Sequence, residues 1–348
     1  MRGEIITREE MLALPAYEVS DLGQIPPDPL VSVIVITYNH GAYIEQAIEG
    51  ILAQQCDFPI EVIIGEDKSP DRTLAICQDY QQRYPQLIRL VTWHENVGAN
   101  ANYLRCWGRA RGKYVAICEG DDYWIDPSKL SKQVALMEQF PDTSLCGART
   151  WMLDERPGKN PKKMLIGPKR MRIKYSLEDV VTSYLCHTST FMFRKSQLLI
   201  TKHALALSYL DGYLQSLSAI QGTIRCLPDV VSVYRQHPGG IDTGSSPYRH
   251  CDHNVAVCES LLDIVNKNDA HYVKIGLYLM QVKRCHYLIN DGRINEARKM
   301  APRLLRRLAH HDLMKTLILL LHVYLPKPYA LIKQLKNYVA RVSYGKRI

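Results

Sequence analysis

Residues 114–124 read Tyr-Val-Ala-Ile-Cys-Glu-Gly-Asp-Asp-Tyr-Trp, and this stretch decides the fold class. Its first five residues are apolar, as in a parallel strand that is buried on both faces. Three carboxylates, Glu119, Asp121 and Asp122, follow directly. Ligands of open α/β sheets bind beyond the carboxyl ends of such strands, so the sequence predicts a ligand site here. The alternative is an acidic turn that water solvates.

The same pattern of an apolar strand followed by a helix repeats along the chain. It predicts strands at Val31–Thr37, Ile60–Ile64, Leu87–Thr92 and from Tyr114. Four successive strand–helix units indicate an α/β fold with a mainly parallel sheet flanked by helices. Beyond them we expect an exposed loop at 154–174 and strands at Phe191–Phe193 and Val230–Tyr234.

The chain divides into three predicted parts. Residues 1–29 are a lead-in that ends in prolines, 30–250 are the α/β domain, and 251–348 form a helical extension. In that extension we expect helices at 273–290, 294–309, 311–325 and 328–343. The extension is a membrane-surface element, a helical hairpin packed on the domain, or a short helical-repeat module for binding protein.

The charge of the 348-residue chain is unevenly placed. Residues 281–348 hold 15 Lys or Arg against 3 acidic residues, a net +12, so the rest carries −3 of the total +9. A basic segment of this kind suits a polyanionic partner or is a solvated surface. The ten scattered cysteines and a charged N-terminus without a signal peptide favour a reducing cytoplasm. We therefore expect a cytoplasmic protein whose basic segment meets either an anionic membrane leaflet, at the inner face of the plasma membrane, or a nucleic acid.

Polar clusters also follow the other predicted parallel strands, so they are expected at the same crevice. Singly, each cluster is a turn with capping residues, but together they describe a pocket for a nucleotide. The acids at the fourth strand would need a cation, and their oxygen atoms suit Mg²⁺ or Mn²⁺. The candidate nucleotide-binding residues are Thr37, Tyr38, Asn39, Glu66, Asp67, Asn96, Gly98, Asn102, Glu119, Gly120 and Asp122.

The chain resembles family 2 glycosyltransferases of the GT-A fold over roughly residues 30–245. The stretches that carry the resemblance are Val31–Asn39, Gly65–Thr73, Asn96-x-Gly98 and Gly112–Trp124. The resemblance implies that Asp67 recognises the base and that Asp121 binds the metal in an Asp-x-Asp motif whose first position is Glu119. It also implies that Asp211 is the catalytic base and that His237 lies near the diphosphate, as a metal ligand or a donor to phosphate. Arg235 is a weaker phosphate candidate.

These features predict a metal-dependent inverting glycosyltransferase with Mn²⁺ or Mg²⁺ as cofactor. Its partners would be a nucleotide-diphosphate sugar donor, a glycan or lipid-linked glycan acceptor, and an anionic membrane. Bacterial surface polysaccharide is the expected product class, as the resemblance implies. A nucleotidyltransferase is one alternative, although Tyr38-Asn39-His40-Gly41 is not a glycine-rich phosphate loop. A non-enzymatic polyanion-binding protein is the other, although no nucleic-acid-binding motif occurs.

Overall fold

A ten-stranded sheet forms the centre of the chain in the computed structural model, which describes residues 3–158, 163–240, 246–308 and 323–324. The strand order is β1-β4-β3-β2-β5-β9-β7-β10-β6, with β8 paired to β7. The strands are β1 (Tyr17–Val19), β2 (Val31–Thr37), β3 (Ile60–Glu66), β4 (Ile88–Thr92), β5 (Tyr114–Glu119), β6 (Tyr123–Trp124), β7 (Thr143–Asp154), β8 (Lys163–Ile166), β9 (Met192–Arg194) and β10 (Thr223–Gln236).

The parallel strands β4, β3, β2 and β5 lie side by side, as the four strand–helix units predict. A second parallel pair, β7 and β10, is joined to them by the antiparallel strand β9. Register places Thr37 beside Glu66 and Ile36 beside Glu119. The carboxyl ends of β2, β3 and β5 therefore lie at one edge of the sheet.

The helices that follow the strands bury one apolar face each. In α2, for example, Ile44, Ala47, Ile48 and Ile51 recur at helical spacing and join the same hydrophobic core as Val33 of β2. The helices are α1 (Arg8–Leu12), α2 (Ile44–Leu52), α3 (Thr73–Arg83), α4 (Ala99–Arg109), α5 (Lys129–Gln139), α6 (Leu177–Thr182), α7 (Asp211–Gln221), α8 (Pro247–Leu262), α9 (Asp269–Asn290) and α10 (Ile294–Leu308).

Two segments differ from the sequence prediction. The lead-in is not merely a connection, because β1 pairs antiparallel with β4 and extends the sheet. The predicted loop at 154–174 is partly wrong as well, since β8 lies within it and pairs antiparallel with β7. Both strands are short and largely exposed, so neither has the apolar run that marks a buried strand.

The chain splits into two compact units. The first consists of residues 1–244 with 260–273, and it contains the sheet. The second consists of 245–259 with 274–348, and a small apolar core that includes Cys285, Leu288, Ala301 and Leu304 holds its helices α9 and α10 together. The helices predicted at 311–325 and 328–343 lie outside the described residues except at 323–324. Among the described residues, no helix has both the length and the apolar character needed to cross a membrane.

Candidate active site

Asp121 is the centre of the site at the carboxyl end of β5. Its Oδ2 atom lies 3.1 Å from Nε2 of His237 and 3.6 Å from Nε2 of His40. Burial raises the pKa of Asp121, but the two imidazoles outweigh it and the net shift is downward. Burial lowers the pKa of His40. Asp121 is therefore held as a carboxylate between two histidines that come from distant parts of the chain.

The pKa values of the two neighbouring acids, Glu119 and Asp122, are raised instead. Burial, together with Asp121 and Glu119, raises the pKa of Asp122 well above its usual range. Burial and the nearby Asp211 raise the pKa of Glu119 to about 8. One Asp122 oxygen accepts the backbone N–H of Arg235 at 3.0 Å, and the other lies 3.5 Å from Nδ1 of His187. An opposite charge at this site would favour the ionised forms of both acids.

The buried polar atoms around Asp121 fit a divalent cation. Glu119 Oε2, Asp122 Oδ2, His40 Nδ1 and Thr37 Oγ1 are buried and have no hydrogen-bond partner among the described residues. The ligand atoms of His40, Asp121 and His237 all lie within 4.8 Å of one another, as do those of Glu119, Asp122 and His187. Mg²⁺ takes mainly oxygen ligands, so the imidazole nitrogens make Mn²⁺ the better fit of the two.

Gly120 packs the ends of β2 and β5 tightly together. A Cβ atom at this position would lie 2.5 Å from Thr37 Oγ1 and 3.0 Å from His40 Nδ1. Any side chain at position 120 would therefore push both residues away from Asp121. Thr37 itself is buried, and its backbone carbonyl accepts the N–H of Asp67 at 3.1 Å.

The predicted base-recognition residue, Asp67, lies just beyond β3. Its two carboxylate oxygens accept the backbone N–H groups of Val97 and Gly98, both at 2.9 Å. Asn96 donates to the Asp67 carbonyl at 2.9 Å, so the segment before α4 is fixed to this aspartate. Burial raises the pKa of Asp67, although the two N–H groups and Arg105 counteract it. A carboxylate oxygen has two lone pairs, so Asp67 keeps capacity to accept from a base.

Two other predicted nucleotide-binding residues have all their polar atoms engaged within the protein. Glu66 accepts the N–H groups of Lys68 and Ser69 and the hydroxyl of Thr92. Asn102 donates to the Gly65 carbonyl and accepts from the buried Arg105. The Arg105 guanidinium also donates to the carbonyls of Pro15 and Glu66, both at 2.9 Å. Glu66 and Asn102 therefore shape the pocket from behind.

Tyr38 and Asn39 lie at the open side of the edge. Tyr38 is exposed, and Asn39 has a φ of 58°, a left-handed conformation that asparagine tolerates well. The Asn39 N–H donates to Ser69 Oγ at 2.9 Å, which joins the turn after β2 to the turn after β3. Both side chains remain accessible to a ligand.

Asp211 begins α7, and it is near enough to Glu119 to raise the pKa of that residue. The structure thus brings the predicted base close to the acids after β5. Arg235, the weaker phosphate candidate, instead donates to the Asp121 carbonyl at 2.6 Å and to the Gln46 side chain. Its guanidinium also lies 4.3 Å from the Tyr123 ring centroid. This arginine positions Asp121.

The sequence interpretation left out two histidines that the fold brings to the site. His40 appears in the sequence analysis only within Tyr38-Asn39-His40-Gly41, and His187 is not among its candidate residues. His187 is buried and stacks on Tyr234 with ring centroids 4.1 Å apart, yet it also faces Asp122. Burial lowers its pKa to about 4. No local signal identifies such residues, because their partners lie far away along the chain.

Comparison with known proteins agrees with this architecture. An uncharacterized protein of Mycobacterium tuberculosis is 36% identical over 211 residues, which are 61% of this chain and 60% of that protein. A Bacillus subtilis protein named as a teichuronic acid biosynthesis glycosyltransferase, TuaG, is 39% identical over 158 residues, 45% of this chain and 60% of that protein. The chain thus spans about 60% of the length of these curated relatives.

Two solved structures share the fold. TarS 1–349 of S. aureus, in complex with UDP-GlcNAc, superposes with a TM-score of 0.56 at 18% identity over 73% of this chain and 72% of that one. The mannosyltransferase PcManGT of Pyrobaculum calidifontis, in complex with GDP-Man and Mn²⁺, gives 0.55 at 17% identity over 97% and 91%. The expected GT-A fold is thereby confirmed. Residues 32–198, just under half of the chain, match the model of Glycosyl transferase family 2, so this part of the chain is similar to that family.

Proposed function

We propose that the protein is a metal-dependent inverting glycosyltransferase of cell-surface polysaccharide biosynthesis. It would move a sugar from a nucleotide-diphosphate donor to a hydroxyl of a lipid-linked glycan. One observation carries the proposal: Asp121 lies between His40 and His237, beside Glu119 and Asp122, and each of these two acids has a buried oxygen that no other described residue hydrogen-bonds. The nucleotide sugars bound by TarS and PcManGT, and the name of TuaG, support the substrate classes.

The donor would bind across the carboxyl ends of β2, β3 and β5. Asp67 would accept from N–H groups of the base, and Asn39 and Glu119 would contact the ribose and the sugar. Asp121 and His237, joined by His40, would hold the cation beside the diphosphate. When bound, Mn²⁺ or Mg²⁺ would offset the negative charge that develops on the leaving diphosphate.

Asp211 would act as the base. It would take the proton of the acceptor hydroxyl while that oxygen forms a bond to the anomeric carbon. The bond from the same carbon to the diphosphate oxygen would break on the opposite face, which inverts the configuration. The place of Asp211 at the start of α7, close to Glu119, supports this role.

We further propose peripheral contact with the inner face of the plasma membrane. The net charge of +12 in residues 281–348 supports it, since each cation near an anionic leaflet adds to binding. Residues 30–250 would carry out catalysis, and residues 251–348 would attach the protein to the membrane.

The test is a panel of UDP-, GDP- and dTDP-sugars with Mn²⁺, in which release of the nucleoside diphosphate is measured. We expect one donor class to turn over, and Asp121→Ala to abolish turnover and weaken metal-dependent donor binding. Asp57→Ala, at an exposed aspartate away from the site, is the matched control and should behave as the wild type. Normal turnover by Asp121→Ala would contradict the proposal. Release of the sugar 1-phosphate instead, with the nucleoside monophosphate passing to an acceptor, would indicate nucleotidyl transfer.

A further inference from the structure

Residues 163–174, here called the 163–174 surface, expose an unusual number of apolar side chains. They comprise β8 and the segment that follows it. The exposed fractions are 53% for Met164, 45% for Leu165, 36% for Met171 and 82% for Ile173. Met164 and Leu165 are neighbours on one strand, so their side chains leave opposite faces of the sheet and neither face is covered there. Apolar side chains left exposed in one short segment indicate a place where a partner can cover them.

Hydrogen bonds from neighbouring side chains hold the backbone of the 163–174 surface in place. The Arg149 guanidinium donates to the Pro168 carbonyl at 3.0 Å. The hydroxyl of the buried Tyr175 donates to the Arg170 carbonyl at 3.2 Å and accepts the Arg172 N–H at 3.1 Å. Because these contacts use backbone atoms of the segment, they leave the side chains of Met164, Leu165, Met171 and Ile173 exposed.

The charge of the surface has one sign. Residues 163–174 contain five cations and no acid. Arg172 pairs with Asp179 at 2.6 Å. None of the other four takes part in an ion pair within the described residues. These four are Lys163, Lys169, Arg170 and Lys174.

We propose that the 163–174 surface binds the anionic leaflet of a membrane. Cations that alternate with exposed apolar side chains fit the boundary between charged headgroups and acyl chains. Lys and Arg can keep their charge at the headgroups while their stems lie along apolar surface. A soluble polyanion would use the four cations but would leave Met164, Leu165, Met171 and Ile173 exposed to water.

The position of this surface relates it to the site. Lys163 pairs with Leu153 of β7, and Leu153 pairs with Arg235 of β10. Neighbouring strands are about 4.8 Å apart, so Lys163 lies only about 10 Å from Arg235, whose N–H binds Asp122. Membrane contact here would bring lipid-linked acceptors to the edge of the catalytic centre. The inference goes beyond the contact proposed for the C-terminal region and rests on the proposed acceptor class for its role.

The experiment is co-sedimentation of the full chain with phosphatidylcholine vesicles that either contain or lack phosphatidylglycerol. Lys169→Glu/Arg170→Glu should weaken binding to the anionic vesicles at least about tenfold, because each cation contributes about fivefold. Met164→Ser/Leu165→Ser/Ile173→Ser should weaken it about tenfold through lost apolar burial. Two controls match these changes at other exposed positions. They are Arg83→Glu/Lys113→Glu, which lies outside the C-terminal region, and Leu22→Ser/Leu205→Ser, and both should bind as the wild type.

All variants change exposed side chains, so donor turnover and the midpoint of urea unfolding should stay as in the wild type. Wild-type vesicle binding by both surface variants would assign the membrane contact to the C-terminal region alone and overturn the inference. Absence of vesicle binding by the wild type, with donor turnover intact, would overturn it while leaving the proposed reaction standing. Binding to heparin without binding to vesicles would indicate a soluble polyanion and would also overturn it.

Discussion

The acids after β3 and the acids after β5 lie at the same edge of the sheet but are built differently. After β3, Glu66 and Asp67 together accept five hydrogen bonds from protein donors. After β5, Glu119 and Asp122 each keep a buried oxygen that has no hydrogen-bond partner in the part of the chain that the structure describes. The protein itself completes the first pair, whereas the second pair needs a ligand to satisfy it. Glu66 therefore shapes the site from behind and Asp67 has only its remaining lone pairs for a base, whereas the two acids after β5 are open to a cation.

The largest expected effect comes from changing Asp211, the proposed base beside the acids that follow β5. Asp211→Asn removes the proposed base and keeps its shape. We expect kcat to fall by about 10³-fold, as for the loss of a general base, with donor affinity nearly unchanged. Single-turnover kinetics and donor titration measure the two quantities. An unchanged kcat would mean that another residue takes the acceptor proton.

A smaller effect is expected from His40, which the sequence interpretation did not place among the site residues. His40→Ala leaves Asp121 and His237 in place but removes one imidazole from the carboxylate. We expect Mn²⁺ affinity to fall about 10- to 100-fold, with the free energy of unfolding close to that of the wild type. The Mn²⁺ affinity is measured by calorimetric titration in the presence of UDP. Equal Mn²⁺ affinity in the variant and the wild type would show that His40 does not bind the cation.

The difference between the two groups of acids can be tested by changing one acid in each group, Glu66 after β3 and Asp122 after β5. Glu66→Gln replaces an acceptor oxygen by an amide group, so at least one buried donor loses its partner. We expect the free energy of unfolding to fall by about 2 kcal/mol, measured by urea unfolding. Asp122→Asn keeps the oxygen that accepts from Arg235 and removes a buried acid. Here we expect unchanged or slightly higher stability but reduced turnover. The opposite pattern would mean that the β5 acids are structural.

The smallest effect concerns a buried lysine behind β5. Lys129 lies 4.0 Å from the Trp124 ring centroid and donates to Gln133 at 2.8 Å. Burial lowers its pKa to about 7, while Cys118, Cys146 and Asp126 raise it less. Between about pH 7 and pH 10 the unfolded chain binds the lysine proton and the folded chain does not. Stability from this group should therefore rise with pH, by at most about 1.4 kcal/mol per pH unit.

The matched variant for this prediction is Lys129→Met, which keeps the length of the side chain and removes the titrating group. The gain in unfolding free energy of the wild type between pH 7 and pH 9, relative to the variant, should exceed about 1 kcal/mol. Urea unfolding at both pH values measures it. Parallel pH profiles for the two proteins would show that Lys129 keeps its charge in the folded state.

The sequence predicts the parallel half of the sheet because buried parallel strands are continuous apolar runs. It also predicts that the polar clusters share an edge, since this follows from topology alone. It does not predict β1 or β8, whose exposed residues lack that signal. Nor does it reveal which acids are satisfied, because the donors to Asp67 lie about 30 residues away. Of the two histidines beside Asp121, the family resemblance predicts His237. Only the folded chain shows that His40 also lies there.

The guanidinium of Arg105 has a practical consequence for producing the protein. It joins Pro15, in the N-terminal segment, to the Glu66 carbonyl next to Asp67. A shortened form that begins at the family match near residue 32 would lack Pro15 and β1. One donor of a buried cation would lose its acceptor, and β4 would become an open edge prone to pairing between molecules. Insolubility of such a form would therefore reflect the missing edge strand and would say nothing about the catalytic residues.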